Sequence, residues 1–585
     1  MMSELKVSIG QYTDKGRKQS NQDFVGRRLP QASLLNIKGI AFAIADGISS
    51  SQESHIASEV AVKNFLQDYY CTSEAWSTKT AMERVLKPIN SWLYSQSQSG
   101  LGRYDKDKGH VCTFSSLVIK NNHGHIFHLG DSRIYHLTST GLEQVTHDHR
   151  VMGNEGVSYL SRALGVRQDC EFDYHKLDID LGDYFILCTD GIYEFVSAKE
   201  LITIIKANED QLEKAAELIA TLALENGSDD NLSIQLVKIE RLPDLIQPQL
   251  QETKKLNFPP QLEARMEFEG YKILTRLHHS SRSLVYLALD MTLDKKVVIK
   301  LPGVDITNGS PADSELSQGE SLLESFLMEE WVARRINSAH VVKADLADRE
   351  RNTIYTVFEY VEGQTLAQWA IDNPRPSIEQ VRIIIEQVAK ALHAFHKMDM
   401  LHQDIRPENI IIDTQGMVKL LDFGSVSIAG LEESKTEKVQ SYLKGTALYS
   451  APEYFLAEQG SISSDIYSLG VLTYFLMTGK YPYGTQVAKT KTLAAQRKLR
   501  YQPLLDEQRT IPVWFDEAIR KAVEPIPNRR YEALFEFIHD LRKPNQKYLN
   551  KTKPPLIERN PVLVWQGISF ILAWVIIYLI SNSQF

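Results

Sequence analysis

The chain has 585 residues and 43% hydrophobic residues, which suggests about three or four domains with cores of their own. Its net charge is −9 and no basic block stands out, which argues against a general nucleic-acid binder. The four cysteines are scattered without a C-x-x-C pair, so we expect reduced thiols in a cytosolic compartment rather than a disulfide framework or a zinc site.

The first region, residues 1–240, contains short apolar runs that are bounded by acidic residues. Such runs predict strands of a sheet that is packed on both sides. Between them, Gln211–Glu225 has the apolar spacing of a helix with one buried face. The runs and their acidic neighbours are Gly39–Ala45 with Asp46, His125–Leu129 with Asp131, Asp183–Thr189 with Asp190, and Ser233–Val237 with Asp230 before it.

Carboxylates at a shared sheet edge would repel one another unless cations lie among them. Hard divalent ions prefer oxygen ligands, and two such ions can activate water for the hydrolysis of a phosphate ester. For any single Asp the alternative is a turn residue or a helix cap. The runs alone therefore leave two interpretations, scattered turn residues or a metal-dependent hydrolytic site.

Several short motifs in a fixed order favour the hydrolytic site. Together they resemble the metal-dependent protein phosphatase family of type 2C over nearly the whole region. The resemblance implies an α/β-sandwich of two sheets flanked by helices, and the hydrolysis of phosphoserine and phosphothreonine with a metal-activated water. The motifs are Asn21–Asp23, Ala45–Gly47, Gly130–Arg133, Thr146–His149, Ser161–Gly165, Thr189–Gly191 and Asp230–Asn231.

The same resemblance implies roles for individual residues. Asp46 would bridge two manganese or magnesium ions, and the carbonyl of Gly47 would bind one of them. Asp190 and Asp230 would bind the other ion, and Asp131 would bind a weaker third one.

Three residues near the start of the region would complete this site. Asp23 would support the metal ligands. The family usually has an Arg five residues before that position, where this chain has Lys18, with Arg17 one residue further away. Either could bind the substrate phosphate, an Arg bidentately and a Lys as a point charge.

Residues 241–267 contain four prolines and little periodicity. Proline removes a backbone donor and favours extended neighbours, so we expect a semi-rigid linker. The alternative is an additional strand or short helix on either neighbouring region.

The second region, residues 268–545, is predicted to begin with strands and to continue with helices. One helix is expected from about Leu322, and Glu379–Phe395 has the apolar stripe of another. The predicted strands are Tyr271–Leu277, Ser283–Asp290 and Lys295–Leu301.

The stretch His402–Gly424 carries the residue types that phosphoryl transfer needs. Asn409 follows Asp404 by five residues, and Asp422 follows Asn409 by 13. A carboxylate orients a hydroxyl nucleophile, and oxygen ligands hold the magnesium that neutralises the nucleotide phosphates. With Ala451–Glu453 downstream, this stretch resembles the catalytic and metal-binding loops of eukaryotic-like serine/threonine protein kinases. The alternative is an acidic turn beside a buried strand.

The kinase resemblance implies a two-lobed α+β fold that binds ATP and Mg²⁺. Asp404 would be the catalytic base, while Asn409 and Asp422 would bind metal and nucleotide. Arg406 replaces the Lys that touches the γ-phosphate in the family.

Further nucleotide contacts are implied in the strand-rich part. Lys300 would hold the nucleotide phosphates and pair with Glu329 as part of the catalytic machinery, with Glu330 as the less favoured partner. Glu359 lies where the family receives the adenine.

The phosphate-covering loop departs most from the kinase pattern, because residues 278–285 lack all three of its glycines. Glycines let the backbone approach the phosphates and adopt positive φ. Ser280 and Ser283 could bind the nucleotide through their hydroxyls, and Arg282 could add charge. The missing glycines are the main argument for a lobe that binds nucleotide without transferring phosphate.

The segment Gly424–Glu453 contains several Ser and Thr residues that could be autophosphorylated. Within the resemblance, Glu453 would form a buried ion pair with Arg530 or Arg529. Asp465 would brace the backbone of the catalytic loop.

The tail, 562–580, has 19 residues and no charge. As a helix it would span about 28 Å, close to the roughly 30 Å of a bilayer core. We therefore expect a single transmembrane helix after a basic juxtamembrane segment, 546–561, with both catalytic regions in the cytoplasm. The alternative is a buried C-terminal helix.

The sequence thus predicts a membrane-anchored bifunctional signalling enzyme, a phosphatase followed by a kinase, with ATP and phosphorylated and unphosphorylated proteins as partners. We hypothesise that the phosphatase removes phosphates that the kinase region places on the chain itself or on a shared substrate. The alternative is an active phosphatase with a kinase-like, nucleotide-binding regulatory lobe that does not catalyse.

Overall fold

A computed structural model describes most of the chain, and it divides into two compact units. The amino-terminal unit comprises Met1–Ile336, Lys343–Tyr360 and Ile428–Glu433, and the carboxy-terminal unit comprises Asn337–Val342, Val361–Ser427 and Ser434–Phe585. The described residues are 4–105, 108–152, 158–243, 256–280, 283–303, 316–344, 349, 351–431, 447–504, 511–545 and 561–582.

Strands and helices of the first region follow the predicted apolar runs. The predictions of β3, β5, β11, β12 and α6 are confirmed, with ends shifted by no more than a few residues. The strands are β1 (Lys6–Asp14), β2 (Asp23–Arg28), β3 (Ile40–Asp46), β4 (Phe114–Lys120), β5 (His123–Leu129), β6 (Arg133–Leu137), β7 (Leu142–Gln144), β8 (Arg150–Met152), β9 (Ser158–Leu160), β10 (Asp173–Asp178), β11 (Tyr184–Cys188) and β12 (Leu232–Arg241). The helices are α1 (Ala32–Lys38), α2 (Ser54–Asp68), α3 (Thr78–Ser99), α4 (Asp190–Tyr193), α5 (Ala198–Ala207) and α6 (Leu212–Glu225).

Two five-stranded antiparallel sheets form the first region within the described residues, in the orders β1-β12-β11-β6-β7 and β10-β5-β4-β3-β2. Apolar side chains from both sheets meet in one core, among them Phe42 and Leu117 from one sheet and Phe185 and Val237 from the other. Each of these four is fully buried. This arrangement confirms the predicted two-sheet sandwich.

Helices cover the outer faces of this sandwich. Because strand side chains alternate in direction, Ala41 and Ala43 of β3 face away from the inter-sheet core, and α2 packs over that strand. On the other sheet, Ile186 of β11 packs in a second core with Ile219 of α6. Both faces of each inner strand are therefore buried, as its continuous apolar sequence predicts.

The strand-rich start of the second region also belongs to the amino-terminal unit. Its antiparallel sheet follows chain order, and its helix α7 begins at Leu316, six residues before the predicted start. Within the predicted linker, Asn257 forms backbone hydrogen bonds with Asn352 and Ile354, so this end of the segment packs on the sheet. The elements are β13 (Glu267–Phe268), β14 (Tyr271–His279), β15 (Ser283–Asp290), β16 (Lys295–Pro302), β17 (Thr356–Glu359) and α7 (Leu316–Arg335).

Helices dominate the carboxy-terminal unit. Helix α9 starts at a capping box in which Ser377 and Gln380 bond each other's backbone amides, and its apolar stripe packs on α10. The remaining strands are β18 (Gly363–Thr365), β19 (Met400–Leu401), β20 (Ile410–Asp413), β21 (Val418–Leu420) and β22 (Ser427–Ile428). The helices are α8 (Leu366–Asp372), α9 (Ile378–His396), α10 (Ile462–Thr478), α11 (Leu493–Gln496), α12 (Val513–Ala522), α13 (Leu534–Arg542) and α14 (Pro561–Asn582).

The C-terminal helix α14 forms where the apolar run predicts a helix. Among the residues that the structure describes, however, no helix is both long and apolar enough to cross a bilayer. The prediction of a transmembrane helix at 562–580, and with it the single-pass cytoplasmic anchor, is therefore wrong. Gln566 and Ser569 interrupt the apolar run of this helix. The basic segment predicted before it lies almost entirely outside the described residues.

Candidate active sites

The sandwich brings the acidic residues of the first region to one place. Asp23 at the start of β2 is the register partner of Asp46 at the end of β3. Asp190 follows the end of β11, and Asp230 precedes the start of β12, which is paired with β11. Asp131 follows the end of β5. The electrostatic influence of the other four on Asp46 shows that all five carboxylates are close together.

Burial and mutual repulsion govern the protonation of this cluster. Burial, and then the charges of its four neighbours, raise the pKa of Asp46 well above its usual range. Burial and the nearby carboxylates raise the pKa of Asp190 to about 7, and burial raises that of Asp23 to about 6. These carboxyl groups are therefore poised to release protons when positive charge arrives.

Asp23 is held on one side only. Thr189 Oγ1 donates a hydrogen bond to Asp23 Oδ2 at 3.0 Å. Asp23 Oδ1 is buried and has no hydrogen-bond partner among the described residues. A buried oxygen of this kind is costly unless a cation or a donor reaches it.

The structure separates the two candidates for phosphate binding. Lys18 Nζ lies 2.6 Å from Asp230 Oδ1 and donates to Ser49 Oγ at 2.6 Å, so it lies at the aspartate cluster. Arg17 instead donates to the carbonyl of Leu224 at 3.1 Å, at the end of α6.

Arg150 is a member of this site that the sequence analysis missed. Its guanidinium donates to Asp131 Oδ2 at 2.6 Å, to Asp190 Oδ2 at 2.9 Å and to Glu194 Oε1 at 2.7 Å. It directly follows the motif Thr146–His149, which was the available signal. Only the fold shows that β8 carries this residue to two predicted metal ligands.

The donor set suits a hard divalent cation, since it consists of carboxylate oxygens whose pKa is raised by crowding. Within the described part of the chain, no group of three or more His, Cys, Asp or Glu side chains is gathered closely enough to hold a metal ion as it stands. Lys18 and Arg150 contribute the positive charge in this arrangement. The residue types thus fit a divalent metal ion. In this structure the aspartates are ion-paired with the basic side chains Lys18 and Arg150.

In the strand-rich part of the second region, a buried ion pair joins β16 to α7. Lys300 Nζ donates to Glu329 Oε1 at 2.6 Å and to Oε2 at 2.8 Å. Glu330 does not share this pair, because it faces Ser73 and Arg351. The geometry selects Glu329 of the two candidates.

Of the glycine-free loop between β14 and β15, the structure describes Ser280 and Ser283, which are hydrogen-bonded to each other. Ser280 N and Ser280 Oγ both donate to the carbonyl of Ser283, at 3.0 and 3.1 Å, and Ser283 N donates to Ser280 Oγ at 3.1 Å. Arg282 lies outside the described residues. Glu359 ends β17 and accepts a hydrogen bond from Lys343 N at 2.9 Å. The Ser280 hydroxyl thus bonds the backbone of Ser283 in this structure.

In the carboxy-terminal unit, the catalytic-loop candidates form one hydrogen-bonded group. Asn409 Nδ2 donates to the carbonyl of Asp404 at 3.0 Å and to its Oδ2 at 2.8 Å. Asp404 Oδ1 is buried and has no hydrogen-bond partner among the described residues. Burial raises the pKa of Asp404, and the Arg406 guanidinium, whose Nε lies 3.7 Å from Oδ2, opposes that rise.

Asp465 braces this loop from α10. Its carboxylate accepts hydrogen bonds from the backbone amides of His402 and Gln403, both at 3.0 Å, and His396 Nε2 lies 2.9 Å from Oδ2. Gln403 has φ of 65° and Asp422 has φ of 60°, a left-handed backbone that side chains rarely adopt. The brace stabilises a locally strained loop.

The segment that follows Asp422 is described only in part. Its Ser and Thr candidates at 434, 436, 441 and 446 lie outside the described residues. Beyond it, Arg530 binds both oxygens of Glu453 at 2.7 Å, and both side chains are buried. Arg530, not Arg529, is the partner.

Comparison with known families bears on both sites. Residues 12–236 match the model of the protein phosphatase 2C family, and residues 276–541 match the model of the protein kinase domain. The chain thus contains one region similar to protein phosphatase 2C and one similar to protein kinases. We call these the phosphatase region and the kinase region below.

Curated relatives carry kinase names. The chain is 30% identical over 277 residues to the serine/threonine-protein kinase PrkC of Bacillus subtilis, a match of 46% of this chain and 40% of that protein. It is 30% identical over 275 residues to the serine/threonine-protein kinase PknL of Mycobacterium tuberculosis, which is 46% of this chain and 64% of that protein. A probable serine/threonine-protein kinase of Clostridium acetobutylicum is 28% identical over 280 residues, 48% of this chain and 40% of its own length. The chain thus spans less than two thirds of each relative.

Solved structures of phosphatases are also similar. A serine/threonine phosphatase of S. agalactiae is 23% identical with a TM-score of 0.35, over 40% of this chain and 100% of its own. The serine/threonine phosphatase PstP/Ppp of Mycobacterium tuberculosis is 22% identical with a TM-score of 0.33, over 40% of this chain and 99% of its own.

Proposed function

We propose that the chain is a bifunctional signalling enzyme. Its phosphatase region hydrolyses phosphoserine and phosphothreonine in proteins, and its kinase region transfers the γ-phosphate of ATP to Ser or Thr. The kinase proposal rests chiefly on Asp404, one of whose oxygens is buried without a hydrogen-bond partner among the described residues while Asn409 donates to the other. The phosphatase proposal rests on Asp46 and the four carboxylates that influence it.

In the phosphatase region, Asp46, the Gly47 carbonyl, Asp190 and Asp230 would hold manganese or magnesium, with Asp131 at a weaker position. When bound, such ions supply charge that neutralises the phosphate and acidifies water. Lys18 is ion-paired with Asp230. Once the Asp230 carboxylate binds a metal ion instead, the Lys18 ammonium is placed to bind a phosphate oxygen. Asp23 remains behind these groups, where Thr189 fixes one of its oxygens. Arg17 is the less suitable phosphate ligand, since its guanidinium is engaged with Leu224.

In the kinase region, the free oxygen of Asp404 is suited to accept the proton of an incoming hydroxyl. Asn409 fixes the orientation of that carboxylate. Arg406 supplies a positive charge beside the loop that would meet the γ-phosphate. Lys300, oriented by Glu329, would bind the remaining nucleotide phosphates, and Asn409 and Asp422 would hold Mg²⁺.

The test is ATP-dependent phosphorylation by the full chain carrying Asp46→Ala, which silences hydrolysis. The matched variant adds Asp404→Ala. Phosphate should appear on the chain or on a generic protein acceptor with Asp404 present and be lost with Ala in its place. Equal incorporation in both variants would contradict the kinase assignment.

A second candidate, favoured by the hydrogen bonds of Ser280, is an active phosphatase with a kinase-like lobe that binds nucleotide without catalysis. Hydrogen bonds with the backbone of Ser283 engage the Ser280 hydroxyl, one of the two hydroxyls expected to bind the phosphates. This alternative predicts that the chain binds nucleotide in a manner that depends on Lys300. It also predicts that the chain transfers no phosphate. Fluorescent ATP analogue binding, measured on the same Asp46→Ala chain, distinguishes the two.

A further inference from the structure

Helix α7 presents two neighbouring carboxylates to two different partners. Glu329 is paired with Lys300 of the kinase sheet. Glu330, the next residue, is 1% exposed and accepts a hydrogen bond at 2.8 Å from Ser73 Oγ of the phosphatase region. Successive residues on a helix point about 100° apart, so α7 lies between the kinase sheet and the phosphatase region.

Two tryptophans form the centre of this contact. Trp76 of the phosphatase region and Trp331 of α7 have ring centroids 6.0 Å apart at 67°, an edge-to-face arrangement. Trp331 is fully buried, and its Nε1 donates to the carbonyl of Asp68 at 3.4 Å. Trp76 Nε1 donates at 3.2 Å to Glu324 Oε2, which lies about two turns before Trp331 on α7. We call these residues, with Ser73 and Glu330, the helix-docking contact.

Buried ion pairs also join the two sides of the helix-docking contact. Glu330 lies 2.8 Å from Arg334 and 2.6 Å from Arg351, and Arg335 pairs with Asp68 at 2.7 Å. Burial alone would raise the pKa of Glu330, but the two arginines hold it at about 2. Removal of one partner of such a buried network leaves charges without compensation, which opposes separation of the surfaces.

The phosphatase region also touches the segment after Asp422. A Cβ added at Gly430, which has φ of 82°, would lie 2.7 Å from the carbonyl of Lys87 and 2.9 Å from Ser91 Cβ, both on α3. Helix α3 begins two residues after Trp76. One stretch of the phosphatase region, 68–99, therefore contacts both α7 and this segment.

We propose that the phosphatase region has a second function that does not involve hydrolysis: it docks on α7 and holds Glu329 against Lys300. Trp76 and Ser73 are positioning residues for the nucleotide site of the kinase region. This inference rests on the proposed nucleotide binding by that region. It follows that deletion of residues 1–240 abolishes the activity of the kinase region along with the opposing phosphatase, whereas Asp46→Ala removes hydrolysis alone.

The experiment uses the full chain with Asp46 intact or changed to Ala, and it compares Trp76→Ala with Ser73→Ala, which removes the hydrogen bond to Glu330 and a local one from the amide of Ala75. Tyr104→Ala is the matched control, because Tyr104 is an aromatic residue of the same region that is 87% exposed. Hydrolysis of p-nitrophenyl phosphate by the Asp46-intact chains reports whether the phosphatase region is folded. The main readout is the rate at which an amine-reactive ester labels Lys300, followed by mass spectrometry.

Release of Glu329 exposes Lys300, so labelling should rise about three- to tenfold in Trp76→Ala, less in Ser73→Ala, and not in Tyr104→Ala. The KM for ATP should rise in the same order with a smaller change in kcat. In a Glu329→Gln background, Trp76→Ala should add little to either quantity. A merely structural role would instead give additive losses in the double variant.

Unchanged labelling of Lys300 in both docking variants, with hydrolysis retained, would overturn the proposal. If Trp76→Ala also lost hydrolysis, Ser73→Ala would decide, since its loss is small enough to leave the fold intact. Increased labelling without phosphate transfer in any chain would support the docking and contradict the kinase assignment, so the two can fail separately.

Discussion

The aspartates of the phosphatase region come from separated stretches of chain, whereas the catalytic-loop group of the kinase region comes from one. Asp23 and Asp230 are more than 200 residues apart, and Asp404 and Asn409 are five apart. In the first case, burial and crowding raise the pKa of the carboxyl groups, and basic side chains balance them. In the second, the Asn409 amide bonds one oxygen of the Asp404 carboxylate and the backbone carbonyl of the same residue. A site assembled from distant strands therefore depends on cations, and a contiguous loop depends on its brace.

The largest expected effect comes from the centre of the dispersed site. Asp46→Asn should lower hydrolysis of p-nitrophenyl phosphate at least about a hundredfold, because it removes the carboxylate that the others surround. The same change should raise the melting temperature of the metal-free chain, since one repelling charge is lost. Calorimetry in chelator checks this second effect, and a fall in melting temperature would contradict the crowding argument.

The brace of the contiguous loop should come next. Asp465→Ala removes the acceptor of two backbone amides and should reduce phosphate transfer about ten- to a hundredfold in the Asp46→Ala chain. The stability of the carboxy-terminal unit should fall by about 3 kcal/mol, as expected when buried donors lose a charged partner. Urea unfolding measures it. Asp372→Ala, on the exposed face of α8, is the control and should leave both quantities unchanged.

A smaller effect should distinguish the two basic residues at the phosphatase site. Lys18→Ala should raise the KM for a phosphopeptide about tenfold, because Lys18 lies at the aspartate cluster. Arg17→Ala should change that KM less than about twofold, since Arg17 bonds a helix carbonyl. Steady-state kinetics on the two variants gives the comparison, and the reverse order would reassign the phosphate contact to Arg17.

The smallest effect concerns a buried cation outside both acidic sites. Burial lowers the pKa of Lys38 to about 7 from 10.5, although its ammonium donates to Thr72 Oγ1 and the Ser73 carbonyl. At a pH between these two pKa values, Lys38 is protonated in the unfolded chain and neutral in the folded chain. The free energy of unfolding therefore rises with pH, by at most about 1.4 kcal/mol per pH unit. Lys38→Met should flatten that rise. Chemical unfolding at pH 7, 8 and 9 tests this, and an unchanged slope would assign the rise to other groups.

The sequence predicted best what depends on local patterns. Continuous apolar runs that end at Asp or Gly predict the buried strands β3, β5 and β11, and the structure confirms them. Motif spacing likewise named Lys300 and Glu329, which the structure places 2.6 Å apart. The start of α7 was set six residues too late.

What the sequence could not supply depends on contacts between distant residues. Arg150 belongs to no motif, and only the fold brings it to Asp131 and Asp190. No sequence pattern relates Trp331 to Trp76, and only the fold brings their rings into contact. The C-terminal run was misjudged for a different reason, since apolar composition alone does not establish a membrane span.

The charged network around Glu330 has a consequence for how the molecule melts. A junction with a buried tryptophan pair and compensated charges resembles the interior of a single domain more than a hinge between two. The phosphatase sandwich and the kinase sheet should then lose their structure in one cooperative heat-absorption peak. Substitutions in this network should also be correlated among related proteins. A charge reversal at Glu330 requires matching changes at Arg334 and Arg351.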